Sequence, residues 1–283
     1  MLQVPVNNIE FKQKFSTNEQ CLQFLTELRN KYRPFLCLNC EGKKAYKAYI
    51  VRNHNFECSG CHRQESILSG TIFQKSRIPL KSWLEAIWRI TEQPILRKAI
   101  NAYQLQKKYH IRSYKTAWVW QNNIRRIMIH PELDRFSGTV VSDRREIIVP
   151  GIRKNDTQKE SNVLITVVLE ITGNKAKKIR IGIMNDRSRD TMHNFSRNCV
   201  IYGHSISDYH VGKPLESVII DLNKWIKKFP PKSYSLRRLQ PYFDEYAFRY
   251  NNQNERDRGR LFDKLLKNAV QTEPVTYRDI IKN

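Results

Sequence analysis

Two Cys-x2-Cys pairs, CLNC at Cys37 and Cys40 and CSGC at Cys58 and Cys61, constrain this chain more than any other feature. Seventeen residues separate them. A hairpin of that length brings four thiolates to one point, and four thiolates in a tetrahedron make a structural Zn²⁺ site, the zinc-ribbon arrangement. Between the pairs, residues 44–50 alternate apolar and polar side chains, and Arg52-Asn53-His54-Asn55 has turn chemistry before Phe56. Gly42 and Gly60 are expected to supply the backbone freedom that lets a knuckle aim its amides at sulfur. Two disulfides are the alternative use of the four cysteines, and His62, beside Cys61, is an alternative ligand. Cys21 and Cys199 stand alone and read as ordinary half-buried thiols.

Charge is the second constraint. Fifty Lys and Arg against 27 Asp and Glu leave a net +23 and a pI near 9.9. Such an excess repels itself in a compact state unless a polyanion offsets it, which makes nucleic acid the first candidate partner. An anionic membrane surface is the second. The longest strongly apolar run, residues 163–169, falls far short of the ~20 residues of a spanning helix. The opening MLQVPVNNIE lacks a basic n-region and an apolar stretch, so no signal peptide is expected. The expected location is intracellular, bacterial cytoplasm or, in a eukaryotic host, the nucleus. In a reducing compartment paired cysteines bind metal before they form disulfides.

Pattern divides the chain into four expected parts. Residues 1–30 carry a helix over 9–30, with Cys21, Phe24, Leu25 and Leu28 at helical spacing after Ser16-Thr17-Asn18. Residues 31–74 hold the ribbon. Residues 75–130 read as a helix-turn-helix-like DNA-binding region, and 137–283 as a strand-rich domain with a helical tail. Strands are expected at 139–149, 163–171, 178–184 and near 200–206.

Within residues 75–126, twelve Lys and Arg face only Glu85 and Glu92. Pro79 opens a helix with Leu80, Trp83, Leu84, Ile87 and Trp88 on one stripe. A second helix is expected over 95–107, then a turn at Lys108–Arg112, then a helix capped by Ser113 and running to Met128. That order presents the last helix to a major groove. Lys115, Thr116, Asn122, Asn123 and Arg126 are its candidate DNA contacts, with Trp118, Ile124 and Ile127 expected to pack inward. Most cations would meet phosphates, leaving base reading to Asn122, Asn123 or Lys115. A solvated basic face is the plainer alternative.

The segments ECSGCHRQESILSGTIFQKSRIPLKSWLEAIW, RSYKTAWVWQNNIRRIM, YFDEYAFRYN and RGRLFDKLLKNAV resemble the zinc-ribbon insertion-sequence DDE transposases, of which eukaryotic Merlin elements are relatives. The likeness runs in order from about Phe11 to Val270. It implies an α+β multidomain protein: zinc ribbon, helix-turn-helix-like region, then an RNase H-like α/β domain. It also implies a partner, double-stranded DNA at element ends bound by a homo-oligomer, and a reaction, cleavage and joining of DNA. That reaction uses two divalent ions held by carboxylates, and Mg²⁺ suits it.

The family motifs place the catalytic acids at Asp143, Asp208 and Glu216. Where the family has V-E-V-D-E-T, this chain reads Val140-Val141-Ser142-Asp143-Arg144-Arg145, and a guanidinium beside Asp143 competes with a metal. Asp208 and Glu216 stand eight positions apart, where the family has several tens of residues, so the domain is expected to be shortened. Three functions follow: a DNA-binding transposase descendant with weakened or lost cleavage, an active Mg²⁺-dependent transposase, or a zinc-ribbon transcription or replication factor.

Overall fold

The computed structural model describes residues 3–37, 39–46, 55–92, 99–130, 134–150, 160–173, 175–184, 195–196, 198–200, 206–207, 212–228 and 239–282. Among these the chain is mixed α and β, with nine helices, a three-stranded sheet and a four-stranded sheet. It divides into two compact units. One comprises Met1–Gln93, Leu105–Ile127 and Glu255–Thr276, the other Pro94–Gln104, Met128–Asn254 and Tyr277–Asn283.

The first unit begins with two helices where one was expected, α1 (Asn8–Lys14) and α2 (Asn18–Tyr32). Thr17 causes the break. Its hydroxyl accepts the Gln20 N–H at 3.2 Å while the Gln20 side chain accepts the Thr17 N–H, a capping box that starts a new helix. Helix α3 (Leu80–Thr91) opens after Pro79 and buries Trp83, Leu84, Ile87 and Trp88. Phe11 stacks on Trp88 at 5.1 Å, and Phe15 meets Phe24 edge-on at 5.1 Å.

Helix α8 (Arg258–Gln271), from the tail, completes this core. Its Phe262 ring lies edge-on to Phe11, Phe15 and Trp88, and Arg258 sits 4.1 Å above the Trp88 ring while bonding Glu92. The part expected over 137–283 is therefore split. Leu261, Phe262, Leu265 and Leu266 form an apolar stripe buried in the first unit, among its N-terminal aromatics.

The ribbon sheet has three antiparallel strands, β1 (Ala45–Tyr46), β2 (Asn55–Cys58) and β3 (Gln64–Ser66). The third was not foreseen from the hairpin pattern, of which residues 47–54 lie outside the described residues. Phe56 of β2 is buried against Phe35 and under the guanidinium of buried Arg29, 4.5 Å from the ring, which ties the ribbon to α2.

In the second unit β4 (Thr139–Pro150), β5 (Glu160–Thr172) and β6 (Lys175–Ile183) form an antiparallel meander, and β7 (Ile206–Ser207) joins β4 in parallel. The order is β6-β5-β4-β7. Of the strand expected near 200–206, residues 201–205 lie outside the described residues; Val200 bridges Phe136 and Ile206 belongs to β7. Central β5 is buried on both faces from Ile165 to Glu170, as its near-continuous apolar run requires. Helix α6 (Gly212–Lys228) packs against β4 and α7 (Gln240–Asn251) against β6; α9 (Tyr277–Lys282) ends the unit.

Helix α7 also covers the outer edge of β6. Gln240 accepts the Ile183 N–H at 3.1 Å and donates to the Ile181 carbonyl at 2.7 Å. Asn251 accepts the Ile179 N–H at 2.7 Å and donates to its carbonyl at 3.0 Å. Two amide side chains thus stand in for a missing strand and leave no open template for another chain to pair with at these positions.

Candidate functional site

The two cysteine knuckles are built alike. In the first, the Cys37 N–H donates to the Gly42 carbonyl and the Glu41 N–H to the Cys37 carbonyl, both at 3.0 Å. In the second, Cys58 donates to Arg63 and His62 to Cys58, again at 3.0 Å. Each loop turns back through a residue in the left-handed region, Glu41 and His62, both at φ 56°. Backbone amides of Asn39 and Gly60 each lie 3.4 Å from the first sulfur of their knuckle.

The expected role of Gly42 and Gly60 is corrected: neither carries the left-handed turn. Gly42 gives room instead, whereas a side chain at Gly60 would make only ordinary contact with the sulfurs. A Cβ on Gly42 would lie 3.2 Å from Cys58 Sγ and 3.3 Å from Cys40 Sγ, and one on Gly60 would also touch both sulfurs.

All four sulfurs lie within 4.8 Å of one another, with Cys37–Cys61 and Cys40–Cys58 each at 3.5 Å. Four sulfurs at ~2.3 Å from a common Zn²⁺ stand about 3.8 Å apart, so these residues fit a tetrahedral thiolate site. The cysteines are free thiols rather than disulfides. Cys61 is held down to about 6, first by the Arg63 N–H, then by the Asn39 side chain and the neighbouring Cys40. Cys58 is lowered as well, by the Cys61 and Gly60 amides. The Gly42 amide also lowers Cys40, but the hydrogen bonds of Cys40 with Cys58 and Cys61 outweigh it, and that thiol is raised. The cluster thus shares its protons until a metal displaces them. His62 is exposed and its Nδ1 lies 3.1 Å from Glu57, outside the ligand set. Among the described residues, these cysteines are the one group of three or more potential ligands whose donor atoms converge.

The helical region keeps its order but not its lengths. Helix α4 (Ala102–Lys108) is shorter than the expected 95–107, of which residues 95–98 lie outside the described residues. It ends in a Schellman turn, with His110 left-handed at φ 51° and the Ile111 N–H donating to Gln106 at 3.0 Å. Helix α5 (Tyr114–Arg126) follows an extended Ser113 whose side chain makes no cap bond. Trp120 meets Trp83 at 5.4 Å and Tyr109 at 5.0 Å, and Lys108 pairs with Glu85 at 2.8 Å. Trp120, rather than half-exposed Trp118, is the inward tryptophan; Ile124 and Ile127 are buried as expected.

Of the five candidate DNA contacts, Lys115, Thr116 and Arg126 are exposed. Asn122 and Asn123 are not, at 5% and 4% exposure. Asn122 donates to the Trp118 carbonyl at 2.8 Å. Asn123 donates to Val275 at 3.1 Å and accepts the Val275 N–H at 2.8 Å, clamping the chain beyond α8. The two amides are used inside the fold, which removes them as base readers.

Asp143 lies on β4, half-buried, with Arg145 Nη1 2.6 Å from its Oδ2 and the Arg144 N–H 2.7 Å from its Oδ1. Both carboxylate oxygens are thus engaged. Residues i and i+2 of a strand share a face, so Arg145 was always the arginine placed to do this. Glu216 is exposed on α6, whose Leu215, Val218, Leu222 and Trp225 turn inward. Asp208 lies outside the described residues. Asp143 as arranged does not fit a Mg²⁺ ligand, since a guanidinium already neutralises it.

Compared with protein-family models, curated proteins and solved structures, the chain matches none. Among the described residues no helix is long and apolar enough to cross a membrane.

Proposed function

We propose that this chain is a DNA-binding protein of insertion-sequence transposase descent whose strand cleavage is weakened or lost. The observation that carries the reading is the sheet: a three-stranded antiparallel meander joined by a fourth strand parallel to the first, with Asp143 on that first strand. An RNase H-like core begins with this order, and the tail motifs quoted above follow it in sequence.

DNA binding is supported by the +23 charge and by the exposed Lys115, Thr116 and Arg126 at the two ends of α5. Cys37, Cys40, Cys58 and Cys61 would hold Zn²⁺, which supplies folding energy to a ribbon too small to bury a core of its own. Lost cleavage is supported by the Arg145 guanidinium standing where a metal would have to approach Asp143. The proposed partner is duplex DNA carrying element ends, bound by more than one copy of the chain.

A cleavage and strand-transfer assay with Mg²⁺ on duplex ends, run beside Asp143→Ala, tests the catalytic part. The expected result is no metal-dependent joining above the variant. Robust joining that the substitution abolishes would establish an active transposase instead.

A further inference from the structure

Helix α5 inverts the usual distribution of side chains. Gln121, Asn122, Asn123 and Arg125 are buried, whereas Tyr114, in the first turn, is 55% exposed. One exposed apolar residue is ordinary on a protein surface. A helix that takes three amides and a guanidinium inside while leaving an aromatic ring in water is not. The buried amides are bound within the fold, Asn122 to the Trp118 carbonyl and Asn123 to Val275, so the exposed ring is not compensated by polar groups elsewhere on the helix surface.

Trp118 stands one turn after Tyr114, and residues four apart share a helix face. It is half-buried, while Trp83, Trp88, Trp120 and Trp225, the other tryptophans of the chain, are all buried. The face closes beyond it, because the next positions along it, Gln121 and Asn122, lie inside. What α5 offers to solvent on this side is therefore an aromatic strip about 6 Å long, at 1.5 Å of rise per residue. Arg112, Ser113, Lys115 and Thr116 are exposed around it.

Charge selects the partner. Eight Lys and Arg, and no Asp or Glu, lie between Glu92 and Glu132. An aromatic strip among cations suits a polyanion that carries apolar groups between its phosphates, and duplex DNA presents such groups in its major groove as the thymine 5-methyls. One exposed helical turn enters a groove, whereas stacking on unpaired bases calls for a channel that tracks the strand. With Asn122 and Asn123 withdrawn into the fold, base contact passes to this strip. Resting on the DNA-binding reading above, we propose that Tyr114 and Trp118 make apolar contact with thymine methyl groups in the major groove, with Arg112 and Lys115 holding the flanking phosphates.

The test compares the affinity of the full zinc-loaded chain for an A·T-rich duplex and for the same duplex with every thymine replaced by uracil. That replacement deletes the methyl groups and leaves pairing and charge intact. The parent should bind the uracil duplex roughly fourfold more weakly for each methyl it contacts. Tyr114→Ala should lose roughly tenfold in affinity for the thymine duplex, keep the salt slope, and bind the two duplexes equally. Tyr114→Phe, which keeps the ring, should behave as the parent. DNA should also shield tryptophan emission from acrylamide in the parent and not in Trp118→Phe. Tyr114 is exposed, so its variants should fold, which equal thermal midpoints check. Equal affinity of the parent for the two duplexes, a Tyr114→Ala variant that still discriminates between them, or tighter binding to a single strand would overturn the aromatic contact while leaving phosphate binding in place. A parent with no salt-dependent affinity for either duplex would sink the DNA-binding reading itself, and the contact with it.

Discussion

Glu41 and His62 occupy equivalent places, each four residues after the first cysteine of its knuckle and each at φ 56°. The left-handed conformation is strained for any residue with a Cβ. Glu41→Gly should therefore stabilise the zinc-loaded protein by about 0.5–1 kcal/mol, read by denaturant unfolding. A loss of stability would show that the Glu41 side chain has a role of its own. Cys61 gives the ribbon a pH dependence. Its thiol falls from an ordinary value of 9.0 to about 6. A lowered value contributes stability that is present above the unfolded value and is lost as pH falls through the folded one. Zinc binding displaces protons from the four thiols, so the metal should leave as pH falls, followed with a chromophoric chelator; zinc retained unchanged through an acid titration would contradict a thiolate site. Arg145 illustrates what a residue-level reading can reach. The sequence reading put a guanidinium beside Asp143 without saying which; a residue and its second neighbour on a strand share a face, and the one that pairs is Arg145.

Among the elements, those whose pattern is local were readable in the sequence. Helix α3 follows from Pro79 and its apolar stripe, and the strands β4 to β6, though not their antiparallel pairing, from three strand-like runs. The ribbon ligands follow from spacing. What escaped depended on partners distant in sequence. Asn122 and Asn123 look like groove-facing polar residues until Val275, 152 positions from Asn123, takes up the Asn123 amide. Helix α8 belongs with α1 and α3 because its Phe262 completes an aromatic cluster, a fact no spacing within the tail reveals. The split between α1 and α2 was signalled by Thr17 and Gln20, a capping box in the middle of an apolar pattern. Helix α7 makes its own prediction. Asn251→Ala removes both bonds to the buried Ile179 backbone and should cost about 1–3 kcal/mol, measured by chemical unfolding. An unchanged midpoint would mean that the β6 edge is satisfied by solvent.

At the scale of the whole molecule, the four-cysteine cluster, the exposed Arg112 and Lys115 around the start of α5 and an overall charge of +23 support the proposed binding of duplex DNA through its phosphates. The claim has an electrostatic signature, because each neutralised phosphate releases condensed counterions. The most direct measurement is the affinity of the zinc-loaded protein for a duplex across a salt series. Log affinity should fall linearly with log salt, with a slope of about −4 to −8, as several phosphate contacts would give. Lys115→Glu should lower affinity and reduce the slope by about 1. Affinity that stays flat from low to high salt would rule out binding through the phosphates.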